Sequence, residues 1–227
     1  CMLEGKSLRA CANEVGICLK TSFEWRHKIL AAIRALEGGI SFSGIVEADE
    51  LLMKYSEKGR KFKSKEEYQR AKRKKHPKVA VLVVTDREGN LLFKQVGEKK
   101  VKNEQLRDEL KSRLSENNLI CVKPKKEFRK GVKGLQSKKV IVNKRQIKRG
   151  IYSVKIVENK ISDFKTWLSR FHGVATKYLQ SYLMWFVIMN KYLKELIDPD
   201  IGRLLNLSSH DRWAWDKYRE IVSQRYE

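Results

Sequence analysis

The chain has 227 residues, with 50 Lys and Arg against 27 Asp and Glu, a formal charge of +23 and a pI near 9.9. That length accommodates a small binding module plus one domain of roughly 150 residues, and that charge points to a polyanionic partner. The longest unbroken apolar run, 182–189, is far short of the ~20 residues of a spanning helix, and the four cysteines form no CxxC pair, which disfavours a membrane span and a disulfide framework and suits a reducing cytoplasm.

Residues 7–14 and 21–36 are helical in pattern, with Ala12 and Gly16 spaced to let two helices cross closely. Trp25, Ile29, Ile33 and Leu36 read as the inward stripe of the second helix, which leaves Ser22, Arg26 and Lys28 outward for a DNA groove. Gly38-Gly39 breaks that helix and separates a segment 1–38 from a larger unit, 42–197. The larger unit opens with a strand at 44–49. An excursion at 54–78 follows, expected to be mobile apart from a helical stretch over 64–75; it holds twelve Lys or Arg against three acids. Strands at 78–85 and 90–96 are joined by Asp86-Arg87-Glu88-Gly89-Asn90, a hairpin signal that assigns Asp86 to the turn.

A helix at 102–115 and strands at 119–122 and near 139–143 come next. The stretch 122–149 is the second basic run, twelve Lys or Arg against one acid. Phe164, Trp167, Leu168 and Phe171 repeat at helical spacing behind Glu158, a long helix covers 174–197, and the tail, 198–227, ends in a short helix bearing Trp213, Trp215 and Tyr218. A charge run is usually a solvated face, but two runs following strands that end at Asp49 and Val122 would border one cleft. Lys72, Arg73 and Lys74 in the first run, and Lys125, Lys126 and Arg149 in the second, are the candidate phosphate contacts.

Four stretches carry a family resemblance. They are Ser7-Leu8-Arg9 through Glu14-Val15-Gly16-Ile17 to Thr21-Ser22-Phe23-Glu24-Trp25-Arg26-His27-Lys28-Ile29-Leu30; Gly44-Ile45-Val46-Glu47-Ala48-Asp49-Glu50; Arg149-Gly150-Ile151-Tyr152; and Trp167-Leu168-Ser169-Arg170-Phe171-His172-Gly173-Val174-Ala175-Thr176-Lys177-Tyr178-Leu179-Gln180. Over residues 3–193 the chain resembles bacterial insertion-sequence transposases of the DDE type. The resemblance implies an α/β fold, an RNase H-like mixed five-stranded sheet flanked by helices, as in retroviral integrases, preceded by a small all-α helix-turn-helix. It implies double-stranded DNA as partner, a homo-oligomer on that DNA, a bacterial, nucleoid-associated location, and Mg²⁺ or Mn²⁺ as cofactor. The family often carries a zinc ribbon ahead of the helix-turn-helix; this chain opens on Cys1, which suggests a shortened reading frame.

In that chemistry a hydroxyl or water attacks a DNA phosphorus in line, and two Mg²⁺ ions ~4 Å apart stabilise the attacking and leaving oxygens. Mg²⁺ takes oxygen ligands, so several carboxylates must meet at one point. The resemblance places the first acid at Asp49 and the third at Glu158. The second acid follows the strand 119–122, where this chain has Lys123-Pro124, 35 residues ahead of Glu158. An ammonium there offers no oxygen ligand and opposes a cation. Glu127 could stand in if Pro124 opens a helical turn, and Lys165, seven residues after Glu158, shares its helical face within reach of a phosphate.

Each residue also has a plainer explanation. Asp49 could be a solvated loop acid, Glu158 an acid that favours a positive helix N-terminus, and Lys165 a solvated lysine. Three function classes follow: a transposase that cleaves DNA and transfers strands, a transposase-derived DNA-binding protein without catalysis, and an unrelated basic RNA-binding or ribosome-associated protein. The motifs disfavour the third, and Lys123 favours the second over the first.

Overall fold

The computed structural model describes residues 1–142, 148–195 and 212–223. Helix α1 (Leu8–Val15) is capped by the Ser7 side chain, which accepts a hydrogen bond from the Ala10 amide. It ends at Gly16, whose φ of +70° is the left-handed conformation glycine adopts without steric cost. A Cβ on Gly16 would meet nothing within 4 Å, so this glycine ends a helix and does not serve the close helix crossing expected from its spacing. Helix α2 (Leu19–Ile33) continues as a 3₁₀ turn, Arg34–Gly39.

The larger unit is a five-stranded sheet in the order β3-β2-β1-β4-β5. Strand β1 (Ile45–Met53) pairs antiparallel with β2 (Val79–Asp86), which pairs antiparallel with β3 (Leu91–Glu98). On its other side β1 runs parallel to β4 (Leu119–Val122), and β4 parallel to β5 (Lys138–Ile141). This is the RNase H-like arrangement expected from the sequence. All eight residues of β2 are buried, because alternate side chains of Val79-Ala80-Val81-Leu82-Val83-Val84 feed opposite faces of the sheet. Val81 and Val83 join one core with α6 (Lys155–Ser169) and α7 (Thr176–Glu195). Ala80, Leu82 and Val84 join another with α4 (Asn103–Lys111) and α5 (Lys126–Lys133).

The hairpin β2–β3 turns as its sequence suggests. Asp86 accepts hydrogen bonds from the Glu88 and Asn90 amides, from the Asn90 side chain and from the Ser43 amide, so its carboxylate is consumed by the turn. The basic excursion contains α3 (Lys65–Arg73), which buries no residue. Its stem is fixed: Ser56 and Thr176 exchange two 2.8 Å hydrogen bonds, and Tyr55 stacks on His76 at 4.4 Å. A two-stranded ribbon, β6 (Lys148–Arg149) and β7 (Tyr152–Ser153), precedes α6. The last described helix, α8 (Arg212–Ser223), packs against α2 and contributes the buried Ile221 to the core. Trp213 and Trp215 have side chains outside the described set. Among the described residues no helix is long and apolar enough to cross a membrane.

The orientation of α2 agrees with the sequence expectation at Ile33, which is buried, and at Ile29, which packs against the core, but differs at Ser22, Trp25, Arg26 and Lys28. Ser22, Arg26 and Lys28 are buried, whereas Trp25 is 50% exposed. The Ser22 hydroxyl donates to the Leu8 carbonyl, and Arg26 Nη2 donates to the Lys6 carbonyl at 2.7 Å and to Cys11 Sγ. The Arg26 guanidinium lies 5.2 Å from the Trp185 ring and 5.8 Å from Phe171, while Lys28 Nζ lies 5.1 Å from Trp25. Ser22 and Arg26 join α2 to the rest of the molecule, Lys28 is buried beside Trp25 of the same helix, and the three do not form an open reading face.

Candidate functional site

The site begins with a register. Parallel pairing sets Val122 opposite Ala48, and β4 stops there while β1 continues to Met53 alongside β2. The next position, 123, therefore falls beside Asp49, and the end of β4 leaves room for side chains to fold over it. Asp49 is mid-strand, not at the strand end that the sequence suggested, and it shares a face of β1 with Glu47 and Leu51.

Lys123 fills that space. Its Nζ is 2.6 Å from Asp49 Oδ2 and 2.5 Å from Glu158 Oε1, so one ammonium joins the first and third expected acids. Asp49 Oδ1 is also occupied, by Lys125 Nζ at 2.9 Å and the Glu50 amide at 2.8 Å. Lys125 reaches on to Glu50 Oε1 at 2.9 Å. Burial works against the charge on Asp49, and the hydrogen bonds from Lys123 and Lys125 outweigh it, holding the carboxyl below the usual carboxylate range. Burial likewise opposes the Lys123 charge, and Asp49 and Glu158 more than compensate, so this ammonium stays protonated above the ordinary lysine range.

Glu158 is in the first turn of α6, and what holds that turn is a buried carboxylate that local sequence patterns do not single out. Glu47 has no exposed surface. It accepts hydrogen bonds from the Ser153 hydroxyl at 2.7 Å and from the first-turn amides of Ile156 at 2.8 Å and Val157 at 3.1 Å. A carboxylate on the amides of a helix N-terminus is favoured by their orientation and by the helix dipole. Glu47 thus ties the helix carrying Glu158 to the strand carrying Asp49. The available sequence signal is its spacing: two residues before Asp49, it faces the same way.

The remaining expected contacts separate into three groups. Lys125, expected at a phosphate, is instead engaged by Asp49 and Glu50. Lys72, Arg73 and Lys74 on and beside α3, Lys126 at the start of α5 and Lys165 on α6 are exposed, while Arg149 belongs to β6 with its side chain outside the described set. Glu127 does lie in the first turn of a helix, but its carboxylate is paired with Lys100. A divalent ion needs oxygens where Lys123 and Lys125 now sit, so the residues present do not fit the metal pair. Among the described residues no group of three or more His, Cys, Asp or Glu is placed to hold a metal ion.

A mixed five-stranded sheet of this order flanked by helices, with Asp49 on its central strand and Glu158 on a following helix, is a fold of the RNase H kind. The family described as the ISXO2-like transposase domain matches residues 41–188, and the chain belongs to it. Comparison with curated protein sequences gave no match. A solved structure described as a pre-cleavage Mos1 transpososome is similar at 10% identity, over 98% of this chain and 76% of that one, with a TM-score of 0.32.

Proposed function

We propose that this transposase-family chain binds double-stranded DNA as an assembly of copies and that Lys123 closes its centre to metal-dependent strand cleavage. The observation that carries this reading is the single ammonium within 2.6 Å of Asp49 and 2.5 Å of Glu158, a place where cleavage chemistry requires metal-bound oxygens. A lysine there attracts a phosphate but cannot hold a divalent cation. The charge of +23 supports a nucleic-acid partner, and exposed Lys72, Arg73, Lys74, Lys126 and Lys165, with Arg149, are the proposed backbone contacts.

Those contacts release counterions, so log affinity should fall steeply with log salt. The second reading, an active transposase that cuts and joins element ends with Mg²⁺ or Mn²⁺, is favoured by family membership and by the retained Asp49 and Glu158. Supercoiled plasmid incubated with the protein and Mg²⁺ or Mn²⁺ separates the two. Binding without nicking supports a closed centre. Nicking by the unaltered chain that disappears in Asp49→Ala would establish the active reading instead.

A further inference from the structure

A second site lies away from Asp49, where α1 and α2 meet the turn between α6 and α7. Its cavity of 560 Å³ is within the ~300–1,000 Å³ range of small-ligand sites. Arg9, Arg26, Lys58, Arg170 and Lys177 line it, and none of its lining residues is acidic. Phe23, His27 and Tyr178 form one wall, with ring centroids 4.3 Å apart for Phe23 and His27 and 4.0 Å for His27 and Tyr178.

Two features show that the positive charge is built in. Arg26 is 2% exposed, yet its Nε and Nη1 are buried without a hydrogen-bond partner while Nη2 is held by Lys6 and Cys11. Those two nitrogens have almost no accessible surface, so Arg26 supplies a fixed positive charge behind the cavity wall and not a donor exposed in it. Burial also pushes the Lys177 ammonium down, and burial together with Arg26 and Lys177 pushes the His27 imidazole down to about 3. The His27 shift fits a pocket lined by cations, and that of Lys177 comes from burial alone. Arg9 and Arg170, at its mouth, are exposed and have no acidic partner among the described residues.

We propose that this cavity takes a nucleoside phosphate: the phosphate against the two mouth arginines, with the buried charge of Arg26 behind them, and the base against the Phe23–His27–Tyr178 wall. Guanidinium groups favour phosphate oxygens by geometry and charge, and aromatic rings accept any base by its flat face. The free nucleotide and an unpaired nucleotide at a DNA end share this chemistry. The inference rests on DNA as partner only for the second source and does not require the centre at Asp49 to be active.

The test compares a blunt duplex, the same duplex with one unpaired 5′-phosphorylated nucleotide, an abasic version of that overhang, and free dAMP against inorganic phosphate. Replacement of both mouth arginines, Arg9→Ala with Arg170→Ala, leaves the buried Arg26 and the fold in place. The unpaired base is expected to tighten binding by about tenfold over blunt and abasic duplexes, and the double variant is expected to lose that preference while still binding blunt DNA. Tighter binding of dAMP than of phosphate, without an overhang preference, would assign the same pocket to the free nucleotide. Equal binding of all three duplexes, with no discrimination of dAMP from phosphate, would overturn the proposal. Failure to bind even blunt DNA would count against the proposed function, and the dAMP arm would still decide the pocket.

Discussion

Replacing Lys123 by Asp should exchange one stabilising cation for another. In metal-free buffer Lys123→Asp breaks two short ion pairs, to Asp49, whose side chain is 6% exposed, and to Glu158, which is 33% exposed. Exposed pairs contribute roughly 0–1 kcal/mol and breaking a buried pair costs roughly 3–5, so a half-buried bridge is worth about 2. Setting a third carboxylate beside the other two, with water filling the space the lysine leaves, adds about 1 kcal/mol of repulsion at a water-like dielectric near 80. The total, roughly 3 kcal/mol, corresponds to a fall of about 6–12 °C in Tm for a chain of this size. Metal at 100 times its Kd restores about 2.7 kcal/mol, nearly all of the loss. Lys125 would still oppose the ion from the other side of Asp49, so Lys123→Asp with Lys125→Ala should bind Mn²⁺ more tightly than the single variant. Thermal unfolding in EDTA and in Mn²⁺ reads each step. The reasoning fails if the unaltered protein gains stability from Mn²⁺ in a way that Asp49→Ala removes, or if Lys123→Asp is as stable as the parent in EDTA. The bridge also has a pH window. A carboxyl lowered by folding contributes stability above its ordinary pKa near 4 and loses it as pH falls through the folded value; a raised lysine contributes below about 10.4 and loses it as pH climbs. Between those limits the unaltered protein should hold its full margin over Lys123→Met.

Glu47→Ala should cost roughly 3–5 kcal/mol, since three donors lose a charged acceptor in a site without water access; urea unfolding measures it, and a loss under about 1 kcal/mol would show that α6 is held by other means. On α2, Arg26→Ala should cost about 3 kcal/mol through lost packing and hydrogen bonds, and Trp25→Ser about 1 kcal/mol or less. The opposite ranking in the same assay would restore the orientation read from the sequence.

The sheet was readable because its strands are β-branched runs, and because the register that sets position 123 beside Asp49 follows from the length of Leu119-Ile120-Cys121-Val122. On α2 the inward places of Ile29 and Ile33 were readable, and those of Trp25 and Arg26 were not. A tryptophan among polar neighbours looks like core, but what buries Arg26 is a pair of rings, Phe171 and Trp185, far along the chain, which local periodicity does not reveal. Helix α5 is hidden for a related reason: Phe128 and Val132 are its buried apolar pair, too short a stripe to stand out in a basic run. Two-residue strands such as β6 and β7 carry no periodicity at all. Charge runs misled once. Lys125 belongs by composition to a phosphate-binding stretch, yet the chain turns back after Pro124, where the Lys125 amide donates to the Lys123 carbonyl, and so brings its ammonium to Asp49.

That turn bears on the proposed reading of Lys123 at the place expected for a second acid. A lysine at position 123 alone would leave Asp49 Oδ1 open to one cation. With Lys125 on that oxygen and Lys123 on the other, both faces of the first acid are neutralised from within the chain. Two ammoniums against Asp49, Glu50 and Glu158 nearly balance the cluster, as bound metal would do in an intact centre, which explains how three carboxylates remain gathered without it. Glu47 sustains this from below by fixing α6 to β1 through backbone amides, a tie independent of the residue at 123. On the proposed reading, the frame for phosphoryl transfer is therefore the strand, the helix and their connection, and the barrier to a metal is two side chains of one short loop.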